Sequence, residues 1–107
     1  MNIKTHSERI VFHDAIEAME VDFSRMSFAD AGQVDAFYDE VDRRLAETDR
    51  RWFFLVIYTD CVIAPDAWDR FAERGKGTNV RHGRGSVRVD AKAQTRDAIR
   101  RSAGQES

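Results

Sequence analysis

The chain has 107 residues, of which 42% are hydrophobic and 34% charged, with seven Phe, two Trp and two Tyr. This length suits one compact domain, and the composition excludes a wholly disordered chain. The formal net charge is −2, but residues 1–69 carry seven Lys and Arg against fifteen Asp and Glu, while residues 70–107 carry ten against four. Such asymmetry is typical either of a surface for nucleic acid or membrane, or of two regions that attract each other within one fold; we favour the second.

The sequence also argues against several other classes of protein. Its longest apolar run, residues 52–58, is far shorter than the roughly 20 residues that cross a bilayer. The N-terminus has no apolar stretch of the signal-peptide kind, so we expect a cytoplasmic protein that is not an integral membrane protein. A lone Cys61 cannot form an internal disulfide, and three scattered His give no zinc-ligand spacing. We therefore expect neither a metal nor a cofactor.

The first part of the chain contains two strand patterns and then an amphipathic helix. Residues 9–13 are rich in strand formers and residues 15–23 alternate apolar with acidic side chains, which predicts two strands joined tightly near Asp14. A one-residue slip in the phase of the second strand predicts a bulge. Residues 30–48 are predicted to form a helix capped by Asp30. Its apolar residues recur at three- and four-residue spacing: Val34, Phe37, Tyr38, Val41 and Leu45.

Strands and helices continue to alternate in the middle of the chain. Residues 51–58 are continuously apolar, which predicts a central strand covered by helices on both faces. Pro65 can open a helix at its first position, since the N–H that it lacks would have no partner there. Gly75 and Gly77 are predicted to end that helix, and a basic loop over residues 78–85 is predicted to follow.

The C-terminal part is predicted to hold a short strand at 86–90 and a last helix at 95–101. We assign residues 1–103 to one domain and residues 104–107 to a frayed tail. The predicted order is strand, strand, helix, strand, helix, strand, helix. The fold class is therefore α/β, with a small mixed sheet of four to five strands and helices packed on it.

This arrangement resembles a known family. The apolar segment 51–60, the helix that Pro65 opens and the segment 85–90 are together similar to the SpoIIAA-like branch of the STAS domains. The resemblance covers nearly the whole chain and rests on element order and hydrophobic pattern. It implies a sheet of four or five strands, and a non-enzymatic interaction module of bacterial signalling or an appendage of anion transporters.

The chain departs from that family at the phosphorylation switch. The best-known members resemble one another in a Ser or Thr that follows an Asp, at the start of the helix after the central strand. Here Cys61 follows Asp60, and Thr59 precedes it. Asp66 offers a permanent negative charge in the same stretch, although the helix dipole alone favours an acid in the first turn.

No catalytic constellation is apparent, so we do not expect an enzyme. The three His have no Ser or Cys nucleophile at a recognisable spacing, and Asp60 disfavours the thiolate of its neighbour Cys61. Residues 75–78 lack the full spacing of a phosphate-binding P-loop. The acidic residues of the first helix lie on a helix face and not in a loop that would converge ligands on a metal.

Two functional hypotheses follow. We favour a regulatory or protein-interaction module, which could also homodimerise. Its predicted partner-binding residues are Asp60, Cys61, Asp66, Trp68 and Arg70, although aromatic bulk at a position such as Trp68 more often fills the core. The alternative is a domain for a small or lipid ligand, with hydrophobic space beneath the helix at 65–74.

In that alternative, an anionic head group would bind the basic loop through Arg81, His82 and Arg84, because guanidinium forks and backbone N–H groups favour anions. A solvated basic turn is the competing interpretation of the same residues. Nucleic-acid binding is disfavoured, because residues 72–107 contain no aromatic side chain for stacking on bases.

Overall fold

The structure is a computed structural model that describes residues 5–89. The predicted helix over 95–101 and the predicted tail at 104–107 lie outside the described residues. Two short 3-10 turns, Ser7–Arg9 and Asp14–Ile16, accompany the main elements. In chain order the strands and helices are β1 (Ile10–His13), β2 (Ala18–Asp22), β3 (Ser27–Phe28), α1 (Ala31–Ala46), β4 (Trp52–Ile57), β5 (Val62–Ile63), α2 (Pro65–His82) and β6 (Gly83–Val89).

The described residues form a mixed α/β fold, which confirms the predicted class. The main sheet has four strands in the order β1-β2-β4-β6. Strand β1 runs antiparallel to β2, whereas β2, β4 and β6 are parallel. A second parallel pair, β3 with β5, was not predicted. Its strands contain only two residues each, which is too short for a periodic signal in the sequence.

The strand order places both helices on one face of the sheet. The connections from β2 to β4 and from β4 to β6 both advance across the sheet in the same direction. Because such connections are right-handed, both carry their helix over the same face of the sheet. The two helices accordingly pack against each other as well as against the sheet. We call the helix-covered side the inner face and the opposite side the outer face.

Strand β4 is central, as predicted, but the described elements cover it on only one face. Trp52, Phe54 and Val56 point into the core, whereas the intervening Phe53 keeps 47% of its surface exposed. The expectation of helices on both faces was therefore wrong for the described part of the chain. The continuous apolar run of β4 therefore has two causes. Its inner residues are buried in the core, and its outer residues are apolar although the described elements do not cover them.

Helix α1 begins where the sequence predicts it. The Asp30 side chain accepts a hydrogen bond from the backbone N of Gln33 at 3.0 Å, and the Gln33 side chain accepts one from the backbone N of Ala29 at 2.7 Å. These contacts satisfy N–H groups that the first turn leaves without partners. The five apolar residues named above are the buried residues of this helix.

The hairpin between β1 and β2 is regular, so the predicted bulge in β2 was wrong. Pairing runs without a shift from Ile10 opposite Val21 to His13 opposite Ala18. The apparent slip arises because Ile16 belongs to the connecting turn and is 70% exposed.

Helix α2 continues through both of the glycines that were predicted to end it. It runs to His82, so residues 78–82 are helical and residues 83–85 belong to β6, and the predicted basic loop over 78–85 does not form. A glycine inside a helix costs only about 1 kcal/mol relative to Ala. Burial of Phe71, Ala72 and Thr78 along the same helix outweighs that cost.

Two other glycines make the direct change from helix to strand feasible. A Cβ atom on Gly83 would lie 2.8 Å from the backbone O of Asn79, within the last turn of α2. Gly85 has a φ of 149°, and a Cβ atom there would lie 2.9 Å from the ring of Phe53. Any larger residue would clash at either position. Glycine at both positions therefore lets α2 pass into β6 without a loop.

We expect Gly77→Ala and Gly83→Ala to change stability in opposite directions. At Gly77 a Cβ atom meets only the tip of the flexible Arg81 side chain, so Ala should stabilise the helix by about 0.5–1 kcal/mol. At Gly83 it meets backbone, and the cost should be about 1–3 kcal/mol. Urea unfolding followed by circular dichroism measures both changes, and destabilisation by Gly77→Ala would contradict a continuous helix.

Candidate functional site

An aromatic cluster forms the centre of the core between the two helices and the sheet. Phe23 lies at its middle and stacks on Tyr58, with ring centroids 5.3 Å apart and planes 7° from parallel. Its ring centroid lies within 6.2 Å of five aromatic neighbours: Phe28, Phe37, Tyr38, Tyr58 and Phe71. Four of these rings, Phe23, Tyr38, Tyr58 and Phe71, also line a cavity in the core.

This cavity has a volume of about 60 Å³ and lies between α2 and the inner face of the sheet. Small residues contribute to its lining on both sides, namely Ala72 and Gly75 on α2 and Ser86 on β6. Its apolar wall is formed by Met19, Val21, Phe23, Val41, Phe54, Val56 and Phe71. The cavity is therefore an extension of the core that the chain itself does not fill.

The cavity becomes polar towards the edge strand β6. Tyr38, Tyr58, Asn79 and Arg88 contribute polar groups to its lining, and the positive charge of Arg88 acts to lower the pKa of the Tyr58 hydroxyl. Burial raises the pKa of both tyrosines above the usual value, so each keeps its proton near neutral pH.

A surface groove adjoins this polar end, and we call it the mouth of the cavity. Its lining includes two cations, Lys76 and Arg88, and the described residues that line it include no carboxylate. The full set is Lys76, Asn79, Val80, Gly83, Gly85, Ser86 and Arg88. A groove lined by cationic and neutral residues thus opens beside an apolar cavity.

Sequence reasoning did not identify Tyr58, Ser86 or Arg88 as site residues. Strand β6 pairs Ser86 with Phe54 and Arg88 with Val56, so the polar residues of its alternation point inward and its valines outward. The alternation was visible in the sequence, but hydrophobicity alone would favour the opposite orientation. Only the register of β6 against β4 shows which residues face the cavity.

The predicted partner-binding residues lie close together along the chain but differ in accessibility. Asp60 and Asp66 are exposed, and Asp60 has a φ of 55° in the left-handed region. Cys61 is 1% exposed, so its thiol does not reach the surface. Arg70 lies 3.4 Å from Asp35 of α1 and 3.2 Å from Glu73.

Trp68 is neither fully buried nor a free surface anchor. Its ring is partly buried and packs against the core, and its Nε1 donates a hydrogen bond to the backbone O of Ile63 at 2.7 Å. It therefore ties the start of α2 to β5.

The three residues of the predicted basic loop do not converge on one site. Arg81 lies in the last turn of α2 and contacts Asp42 at 3.3 Å, whereas Arg84 lies on β6 and pairs with Glu17. His82 is the last residue of α2. Because the helix extends to residue 82, these side chains point in different directions, and the predicted anion site is not formed as a loop.

The acidic face of α1 is held by arginines of α2. Arg74 contacts Asp35 at 2.8 Å and both Asp39 and Asp42 at 3.0 Å. Burial acts to lower the pKa of Arg74, but hydrogen bonds to Asp35, Asp42 and Asp39 outweigh it and raise that pKa. The asymmetry of charge along the chain thus brings its acidic and basic parts together at this helix pair.

The outer face of the sheet carries an apolar strip along β4 and β6. Phe53, Val87 and Val89 are 47%, 59% and 38% exposed. Leu55 lies beside Val87 in the sheet, and Ile57 lies beside Val89. Beside this strip Arg84 pairs with Glu17, and the His13 Nε2 lies 3.3 Å from the Glu20 carboxylate.

Further features of the described residues and the comparisons with known proteins complete this description. Within residues 5–89, His, Cys, Asp and Glu form no group that could hold a metal ion. In the same part of the chain, no helix combines the length and hydrophobicity needed to span a membrane. No family model, curated protein or solved structure matches the chain.

We expect Arg74→Met to destabilise the fold by about 1–2 kcal/mol, because it leaves three carboxylates of α1 facing α2 without their common cation. Arg43→Met is the matched control. The Arg43 guanidinium forms ion pairs with Glu40 and Glu47 at distances similar to those of Arg74, but these pairs are exposed to solvent. Loss of Arg43 should therefore leave stability nearly unchanged. Urea unfolding in low and high salt compares them, and equal effects would contradict a special role for Arg74.

Cys61 should react slowly with alkylating reagents in the folded protein. Burial raises the pKa of its thiol to about 11, although Arg9 acts to lower it. The thiolate population at pH 8 should therefore be roughly a hundredfold below that of an ordinary cysteine. Iodoacetamide labelling followed by mass spectrometry measures the rate, with Cys61→Ala/Val62→Cys as the exposed control, since Val62 is 48% exposed. Equal rates would show that Cys61 is accessible.

Proposed function

We propose that this protein is a non-enzymatic interaction module of the STAS-like type, and that a second copy of the same chain binds the outer face of its sheet. The observation that carries the proposal is the apolar strip along β4 and β6. Exposed apolar patches of this kind typically mark interaction surfaces, because burying them removes apolar area from water.

The chemistry of the outer face favours a second copy as the partner. Two identical surfaces with an excess of one charge would repel each other, but beside the strip Arg84 neutralises Glu17, and the Glu20 carboxylate has a hydrogen-bond partner in His13. The strip itself is formed by Phe, Leu, Ile and Val side chains on a pleated surface, and such faces pack on one another in β-sandwiches. A two-fold dimer would bury the same strip on both copies.

The resemblance to STAS domains supports a regulatory role in the bacterial cytoplasm. A sheet of parallel strands preceded by an antiparallel hairpin, with helices between the strands, is compatible with that family. The sequence lacks the usual phosphorylatable residue beside Asp60, so we propose that association, and not phosphorylation at that position, transmits the signal.

The segment 60–70 supports partner binding less well than the outer face does. Cys61 is buried, and Arg70 contacts carboxylates of its own chain. The exposed Asp66 remains the residue through which this alternative surface can be tested.

We expect the wild-type protein to be a dimer and Val87→Lys to be a monomer, because a lysine in the strip would bring a charge into each copy of the apolar contact. Val80→Lys is the matched control, since Val80 is 62% exposed but lies on α2. Sedimentation velocity over a range of concentrations measures the association state, and circular dichroism confirms folding.

A wild-type protein that stays monomeric at high concentration would contradict the proposal, as would a Val87→Lys variant that still dimerises. If Asp66→Lys dissociates the dimer while Val87→Lys does not, the interface lies at segment 60–70 and the assignment to the outer face is wrong.

A further inference from the structure

The inner face of β6 carries polar residues at positions where the neighbouring strand carries apolar ones. Ser86 lies opposite Phe54 and Arg88 lies opposite Val56, and all four line the same cavity. Apolar side chains in place of Ser86 and Arg88 would close the core, and close packing is the usual condition of protein interiors. The strand instead leaves a space with a polar boundary.

The size of the cavity limits what it can hold. A volume of 60 Å³ accommodates on the order of four to six water-sized groups, if each needs roughly 10–15 Å³. Its wall is apolar and partly aromatic, with Phe23, Phe54 and Phe71 contributing rings. A short alkyl chain or one edge of a small aromatic ring matches both the volume and the chemistry of this wall.

The mouth of the cavity favours a negative charge. Arg88 supplies positive charge, while Asn79 and Ser86 can donate hydrogen bonds. None of the described residues that line the mouth is acidic, although the chain as a whole has a net charge of −2. Guanidinium groups bind carboxylates through two parallel hydrogen bonds, which makes Arg88 the principal candidate.

We infer that the cavity and its mouth form a binding site for a small monocarboxylate, with a short alkyl or aromatic group beneath α2 and its carboxylate on Arg88. In this arrangement Ser86 and Asn79 flank the carboxylate, since these two residues line both the cavity and its mouth together with Arg88. This site differs from the predicted basic loop, because neither Arg81 nor Arg84 lines the cavity. It is also independent of the outer face, since the sheet lies between them.

Binding can be measured by two-dimensional ¹H–¹⁵N NMR titration of the full chain, with NaCl keeping the ionic strength constant. The probes are butyrate and benzoate, each paired with its neutral analogue, 1-butanol and benzyl alcohol. We expect saturable shifts at amides around the cavity, and carboxylates should bind at least about tenfold more tightly than the alcohols, as one charge-assisted hydrogen bond would provide.

Variants assign the two halves of the ligand. Arg88→Gln should remove the preference for carboxylates, whereas Arg84→Gln, a neighbouring strand residue that pairs with Glu17, should retain it. Ser86→Leu should fill the space beneath α2 and weaken the binding of acids and alcohols alike. Circular dichroism of each variant confirms that it is folded.

Several results would overturn the inference. The anion site is wrong if acids and alcohols bind equally, or if Arg84→Gln loses the preference as Arg88→Gln does. Acetate, titrated in the same way, lacks the longer apolar group. The apolar site is wrong if acetate binds as tightly as butyrate and benzoate. The whole assignment is wrong if no probe produces saturable shifts around the cavity.

Discussion

The parallel strands β2, β4 and β6 follow one another in space as they do in sequence, and the rest of the structure depends on this order. Right-handed crossovers between successive strands place both helices on the same side of the sheet. That side becomes a closed core around Phe23, and the other side keeps an apolar strip uncovered by the described elements. The closed core and the open strip therefore have a common topological cause.

With both helices on one face, their contact becomes a structural element in its own right. Arg74 of α2 lies among three aspartates of α1. Thr78, also on α2, donates a hydrogen bond to Asp42 at 2.7 Å. These contacts fix the position of the second half of α2, where Gly75 and Gly77 contribute no packing of their own. They hold that half of the helix over a space that it does not fill.

The two candidate surfaces are consequences of how the glycines of this region are used. Gly75 lets the Tyr38 hydroxyl approach α2 closely, and Gly83 and Gly85 let β6 start directly at the end of the helix in close contact with Asn79 and Phe53. The resulting register turns Ser86 and Arg88 inward and Val87 and Val89 outward. One short strand thus contributes the polar boundary of the cavity and part of the apolar strip.

The sequence by itself determined the class of fold, the cap at Asp30, the buried stripe of α1 and the central position of β4. These features depend on local chemistry, namely side-chain caps and hydrophobic period, and they were predicted from it. The length of α2, the orientation of β6 and the outer face that the described elements leave uncovered were decided by tertiary structure. A glycine ends a helix only if nothing outside the helix stabilises its continuation, and here the aspartates of α1 lie 32 to 39 residues away in sequence. The inward side of an alternating strand likewise depends on its register with a distant neighbour, which local pattern does not encode.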